Sequence, residues 1–284
     1  MQRATGKMLP DGRRLHLHHG PIDLIIDVHG PGRSDALAQA IARFDTVLIE
    51  LTAELEMLRS ATTPETQFKG AIAARMQRAA RMFLPTFSTP MAAVAGAVAD
   101  EILAAMIRET KVDKAYVNNG GDVAFHLGPG QKIDAAIAAA TAGRITIDAS
   151  DLYRGIATSG WRGRSHSLGI ADSVTVVARD AAIADVAATL IANAVDLPGH
   201  PSITRVPASE LFADSDLGDR LVTTRVGDLT TAEVNHALDR GATFALDLLN
   251  RGLIGGVAVE LNGQTRLIGA GITKTIQQGS LAHA

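Results

Sequence analysis

The chain has 284 residues, with 27 Lys plus Arg against 30 Asp plus Glu, a formal charge of −3. That balance excludes a broad basic face for a nucleic-acid polymer, and 46% hydrophobic with 20% charged residues excludes global disorder. Cysteine is absent, which excludes disulfides, thiolate metal sites and a cysteine nucleophile.

Near the start, Arg3 and Lys7 lead into Pro10-Asp11-Gly12 and two arginines, not into an apolar signal-peptide core. Residues 15–18 and 23–29 read as strands around a turn at His19-Gly20-Pro21. A helix capped by Ser34 or Asp35 is predicted as far as about Arg59, with apolar residues at steps of three and four. Thr63-Pro64-Glu65 starts a second helix, to about Met82. A third covers 92–109. The apolar stretch 91–107 is interrupted by Asp100 and Glu101, so no membrane span is expected and the protein reads as soluble and cytoplasmic.

Strands are then predicted at 114–118, 122–127, 133–138, 144–147 and 173–178. Asp180 caps a helix over 181–195. Irregular residues follow Pro198, then a helix over 231–250 stopped by Gly252. Residues 257–261 and 265–268 close as a hairpin around Asn262-Gly263. The expectation is one α+β domain over 1–284, with mixed or antiparallel sheets and packed helices. Its parts are an N-terminal segment (1–89), a motif-bearing core (90–195) and a C-terminal helix and hairpin (196–284).

Three pieces of that core can carry chemistry. In Asn118-Asn119-Gly120-Gly121-Asp122, adjacent glycines let backbone N–H groups approach a ligand and Asp122 can accept hydrogen bonds; the same residues also make an ordinary hairpin turn. Residues 155–167 gather Thr158, Ser159, Arg162, Arg164 and His166, which suit phosphate binding and proton transfer, or a solvated loop. Asp185 and Thr189 stand four apart on an apolar helix. They share one side and make a plausible hard-cation site, or an exposed polar stripe.

Taken in order, these pieces resemble the FAD:protein FMN transferase family, with its ApbE-like fold. The family's Asn-x-Gly-Gly-Asp matches Asn118 to Asp122, its Ala-Thr-Ser-Gly matches Ala157 to Gly160, and its following His matches His166. Its Val-Thr-Val strand and Ala-Asp-Ala-x-Ala-Thr segment match Val174 to Val176 and Ala184 to Thr189. The resemblance spans about residues 90–195 and looks like a divergent, uncharacterised branch. It implies Mg²⁺ on Asp185, Thr189 and the backbone carbonyl near Ala95. It also implies a flavin dinucleotide, FAD, with its pyrophosphate at that metal, and transfer of FMN to a threonine of a protein acceptor. The chain departs from the family where His166 is followed by no Asp-Pro and by Asp172 six residues on, and where Gly96 replaces the family lysine. The metal half is retained and the flavin and acceptor half is rebuilt.

The leading expectation is an enzyme binding FAD or another nucleotide with Mg²⁺. Asn118, Gly120, Gly121, Asp122 and Thr158 would line the ligand site, and His166, Ser159 and Arg164 would carry the chemistry, as FMN transfer or pyrophosphate cleavage. Two alternatives stand beside it: a remodelled pocket for a small anionic or heteroaromatic metabolite, and a flavin-binding protein without chemistry. A homodimer is compatible with the Ala-rich helices. His16 with His18, the row Arg75, Arg78 and Arg81, the acidic run Asp214, Asp216 and Asp219, and a Ser159–His166–Asp172 triad are further combinations. They read better as surface histidines, a solvated face, a capped loop and no triad.

Overall fold

The computed structural model describes residues 3–137, 143–269 and 272–274. In chain order it contains β1 (Thr5–Met8), β2 (Leu15–His19), β3 (Ile22–His29), α1 (Arg33–Ala53), α2 (Leu55–Leu58), α3 (Ala71–Arg81) and α4 (Val94–Ile107). There follow β4 (Lys114–Asn119), β5 (Asp122–Leu127), β6 (Lys132–Ile137), β7 (Gly143–Asp148), β8 (Gly155–Ser159), β9 (Ser173–Ala178) and α5 (Ala181–Ala194). The last part holds β10 (Ile203–Pro207), α6 (Ala208–Leu211), β11 (Leu221–Val226), α7 (Thr231–Asn250), β12 (Ile254–Leu261), β13 (Gln264–Gly269) and β14 (Ile272–Lys274).

Nine strands form one antiparallel sheet in the order β1-β2-β3-β4-β5-β8-β9-β12-β13. Side-chain alternation divides it into two faces. Leu24, Ile26, Val117, Ala124, Val176 and Val257 point into the main core with the helices. Phe125, Ile156, Val177 and Ala258 point the other way, against Ile133, Ile145 and Ile147 of the small sheet β14-β7-β6. The result is an α+β fold of three layers: helices, large sheet, small sheet.

The central helices are small-residue helices, and that sets their spacing. Gly96 on α4 meets the backbone of Ala181 on α5 so closely that an added Cβ would fall inside the Ala181 carbonyl and 2.8 Å from the Ala182 nitrogen. Helix α5 buries ten of its residues, as an all-round apolar helix must. Its N-cap Asp180 accepts from the Ile183 N–H at 2.8 Å. The stretch Pro90–Ile107 is apolar and long enough to cross a membrane by length alone, at 18 residues, but 61% of it is buried inside the fold. It is a core helix here.

Several expectations are corrected. Helix α1 begins at Arg33 behind Gly32, with no side-chain cap from Ser34 or Asp35, and it breaks at Glu54. Past the break, the Glu54 carboxylate accepts from the N–H groups of Lys69 and Gly70 at 2.9 and 2.8 Å and so caps α3. That helix therefore starts at Ala71, while Thr63 closes a local turn with Thr66. Residues after Pro198 are not wholly irregular, since β10 and β11 pair there. Strand β8 covers residues that also read as loop. Of the predicted 133–138 strand, residue 138 lies outside the described residues.

Candidate functional site

A cleft of about 1540 Å³ opens around the tip of the β4–β5 hairpin. The tip is Gly120-Gly121, with φ of +67° and +119°, a backbone that side chains with a Cβ rarely adopt. The Asn118 carboxamide oxygen fixes the turn by accepting from the Gly121 N–H at 2.8 Å. The Arg164 guanidinium lies directly on Gly120, in the space a Cβ would need. Among the described residues no hydrogen bond or ion pair involves Arg164, so a cation stands over Gly120 beside an open Gly121.

On the helix side of the sheet the cleft ends in two carboxylates. Asp122 starts β5 and is buried, and its Oδ1 accepts from the Thr158 N–H at 3.0 Å. Asp185 projects from α5, and its Oδ2 accepts from the Gly96 N–H at 3.0 Å. Burial pushes the Asp122 carboxyl up to about 7, against the Thr158 bond and the Arg164 charge. Asp185 is raised well above the carboxylate range, first by burial and then by the charge of Asp122. Asn119, in line with Asp122 by strand alternation, donates through Nδ2 to the Ala95 carbonyl at 3.1 Å. Thr189 lines the cleft one turn beyond Asp185.

The structure brings Asp122, Asp185, Thr189 and Ala95 to one side. Thr158 belongs to the other face of the sheet, where its hydroxyl meets that of Thr175 at 2.9 Å. Asn118 also points to that face, and Ser159 to the helix side. All of them line the one cleft. Its far end reaches buried Asp27, which binds Arg13 at 3.1 Å and His29 at 3.4 Å.

His166 lies beside Phe212, with ring centroids 5.3 Å apart. No hydrogen bond or ion pair joins it to Asp172. Asp172 instead accepts from the Trp161 indole at 3.1 Å, from Arg162 at 2.6 Å and from the Asn262 N–H at 2.6 Å. It pins the loop and completes no triad.

The other combinations resolve as structure. His16 binds Asp23 at 3.1 Å. Arg75 pairs with Glu101 at 3.3 Å. Asp216 accepts from Thr89, Asp219 from Ser209, and Asp214 faces Arg59 at 3.8 Å. Among the described residues no three His, Cys, Asp or Glu gather as a metal cluster. Asn119, Thr175 and Phe212 escaped the sequence reading. The period of two that puts Asn119 on the side of Asp122 was the available signal for the first.

Asp100 on α4 supports the site from behind. Its two oxygens accept from the N–H groups of Ala181 and Ala182 at 3.1 and 2.9 Å, capping α5. Burial, then the neighbouring Asp180 charge, pushes its carboxyl up to about 7. The folded chain therefore keeps a proton that the unfolded chain loses near 3.8. Stability is full below about pH 4 on this account and is lost as pH rises through 7. Asp122 and Asp185 act with the same sign. Asp100→Asn is expected to flatten part of the fall in denaturation free energy between about pH 4 and 7, read by urea titrations across that range.

A family model described as AbpE bacteria matches residues 6–267. A UPF0280 protein of Methanopyrus kandleri is 33% identical over 201 residues, covering 69% of this chain and 79% of that protein. A UPF0280 protein of Methanothrix thermoacetophila is 38% identical over 109 residues, 37% of this chain and 46% of that one. Among solved structures, the flavin transferase ApbE from Vibrio cholerae superposes with a TM-score of 0.52 at 13% identity, covering 91% of this chain and 98% of that one. At that identity the likeness speaks for the fold. Three layers around a Gly-Gly hairpin, with a match over nearly the whole chain, place this protein in the AbpE bacteria family, as a divergent branch with the ApbE-like fold.

Proposed function

We propose that this protein is an enzyme that binds a dinucleotide, FAD, together with Mg²⁺ and acts at the pyrophosphate. The observation that carries the reading is the pair of desolvated carboxylates, Asp122 and Asp185, at the end of a cleft whose lip holds the Gly120-Gly121 turn and Arg164. Two acids placed together in low dielectric ask for a cation or a shared proton between them. FAD is suggested by the motif order and by the name flavin transferase carried by the Vibrio protein of the same fold.

The donors fit a hard cation. Asp185 and Thr189 would hold it with the Ala95 carbonyl, which keeps a second lone pair beside its bond from Asn119. With so few protein ligands the remainder would be water and phosphate oxygen, the usual habit of Mg²⁺. When bound, Mg²⁺ supplies Lewis acidity at the phosphate it touches.

The rest of the work falls to the chain. Gly120 and Gly121 let backbone come against the pyrophosphate, and the Arg164 fork binds its oxygens. Asn118 keeps the turn in that shape. His166 takes the proton of an attacking hydroxyl, from water or from an acceptor side chain. The new P–O bond forms at the FMN phosphorus, the pyrophosphate bridge breaks, and AMP leaves.

The test is AMP release from FAD, followed chromatographically with Mg²⁺ and with EDTA. AMP is expected only with Mg²⁺, and His166→Ala should slow its release about 100-fold or more at saturating FAD. FAD bound without any AMP would make the protein a flavin binder without chemistry. No FAD binding at all would direct attention to small anionic or heteroaromatic substrates.

A further inference from the structure

One large apolar side chain at the cleft is conspicuously exposed. Phe212 is 64% exposed, yet its ring lies against His166 at the lip. A solvated phenylalanine on a loose loop would need no explanation. This loop is not loose. It belongs to the excursion between β10 and β11, and it is fastened over the connector that precedes α4. Asp216 accepts from Thr89, Arg220 lies over the Phe87 ring at 3.4 Å, and Asp214 faces Arg59. Behind it, the Thr223 N–H donates to the Ser167 carbonyl at 2.9 Å, tying the excursion to the His166 loop. Four anchors thus hold an apolar ring in water at the mouth of a ligand-sized cleft.

We infer that Phe212 is a stacking platform for a fused heteroaromatic ring of the ligand in the cleft. This rests on the nucleotide reading above and adds a ring-binding residue to it. The physical argument is that an aromatic face held in water is stabilised when a planar ring covers it, and the interaction is tolerant of which ring that is. His166 provides the second edge. The Arg164 fork and the Gly120-Gly121 turn lie on the same cleft, so a phosphate held there can carry a ring on its far side.

Calorimetric titrations of the wild type, Phe212→Ala and Phe212→Trp with FAD, FMN, AMP and inorganic pyrophosphate, all with Mg²⁺, test this. Phe212→Ala should weaken FAD and at least one of FMN and AMP about tenfold and leave pyrophosphate unchanged. Phe212→Trp should restore the affinity. Whichever of FMN and AMP responds identifies the ring that docks, flavin or adenine. Thermal melting should match wild type, since the side chain is largely outside the core. Unchanged FAD, FMN and AMP affinities in Phe212→Ala would overturn the inference, as would an equal loss for pyrophosphate. If the wild type binds none of the four, the nucleotide reading itself fails and this inference with it.

Discussion

Gly96→Ala is expected to destabilise the protein by about 3 kcal/mol and to disable the site. A Cβ there falls on the Ala181 backbone, not on a flexible side chain, so the strain is relieved only if α4 and α5 move apart. Helix propensity pushes the other way, since Ala exceeds Gly by about 1 kcal/mol in a helix. A measured loss is therefore a lower bound on the contact. Separation would also strain three bonds at once: Gly96 N–H to Asp185, and Ala181 and Ala182 N–H to Asp100. Urea denaturation measures the stability and FAD titration the site. A variant within 0.5 kcal/mol of wild type (a margin at the scale of ordinary surface substitutions) would show that the two helices can yield.

Asp185→Asn is expected to move stability and binding in opposite directions. Burial and the neighbouring Asp122 charge both oppose ionisation of Asp185, so its carboxylate is costly in the folded chain. Asn removes one charge and keeps an oxygen to accept from the Gly96 N–H. The apo protein should gain about 1–2 kcal/mol, the usual size of relief at a strained functional site. Mg²⁺-dependent FAD affinity should fall at least 100-fold, because a neutral amide is a poor ligand for a hard cation. Thermal melts and titrations on the same preparation read both. A destabilised variant that still binds FAD with Mg²⁺ would mean that the carboxylates serve packing and not a ligand.

What the sequence disclosed follows the range of the forces involved. Helix α7 spans Thr231–Asn250, as its signals require, because a capping box at Thr230 and Glu233 and a stop at Gly252 are written within a few residues of its ends. Strand β9 and the β12–β13 hairpin are equally local, the latter turning at Asn262-Gly263 with φ of 49° and 74°. The start of α3 was hidden because its cap, Glu54, stands sixteen residues upstream of Gly70. Strand β1 is short and exposed, and β10 and β11 are short and partly exposed, so alternation gives them little contrast.

The site divides the same way. The Gly-Gly turn, Asp122, Asp185 and Thr189 were legible as spaced residue types, and the fold brings them to one cleft. The partners that tune them were not. Asp172 looked available to His166, but its oxygens are engaged in part by Asn262, ninety residues away. The Asn119 bond to Ala95 and the backing of α5 by Asp100 also join separate elements. Phe212 sits in a segment with no periodicity, and only the tertiary anchors give its exposure meaning.

In the proposed function, the acidic end of this cleft binds a dinucleotide through a cation. A calorimetric titration of the purified wild-type protein with FAD, in Mg²⁺ and again in EDTA, tests it most directly. Saturable one-to-one binding in Mg²⁺, lost or weakened at least tenfold in EDTA, is the expected result. No FAD binding in either buffer, or equal affinity in both, would contradict it.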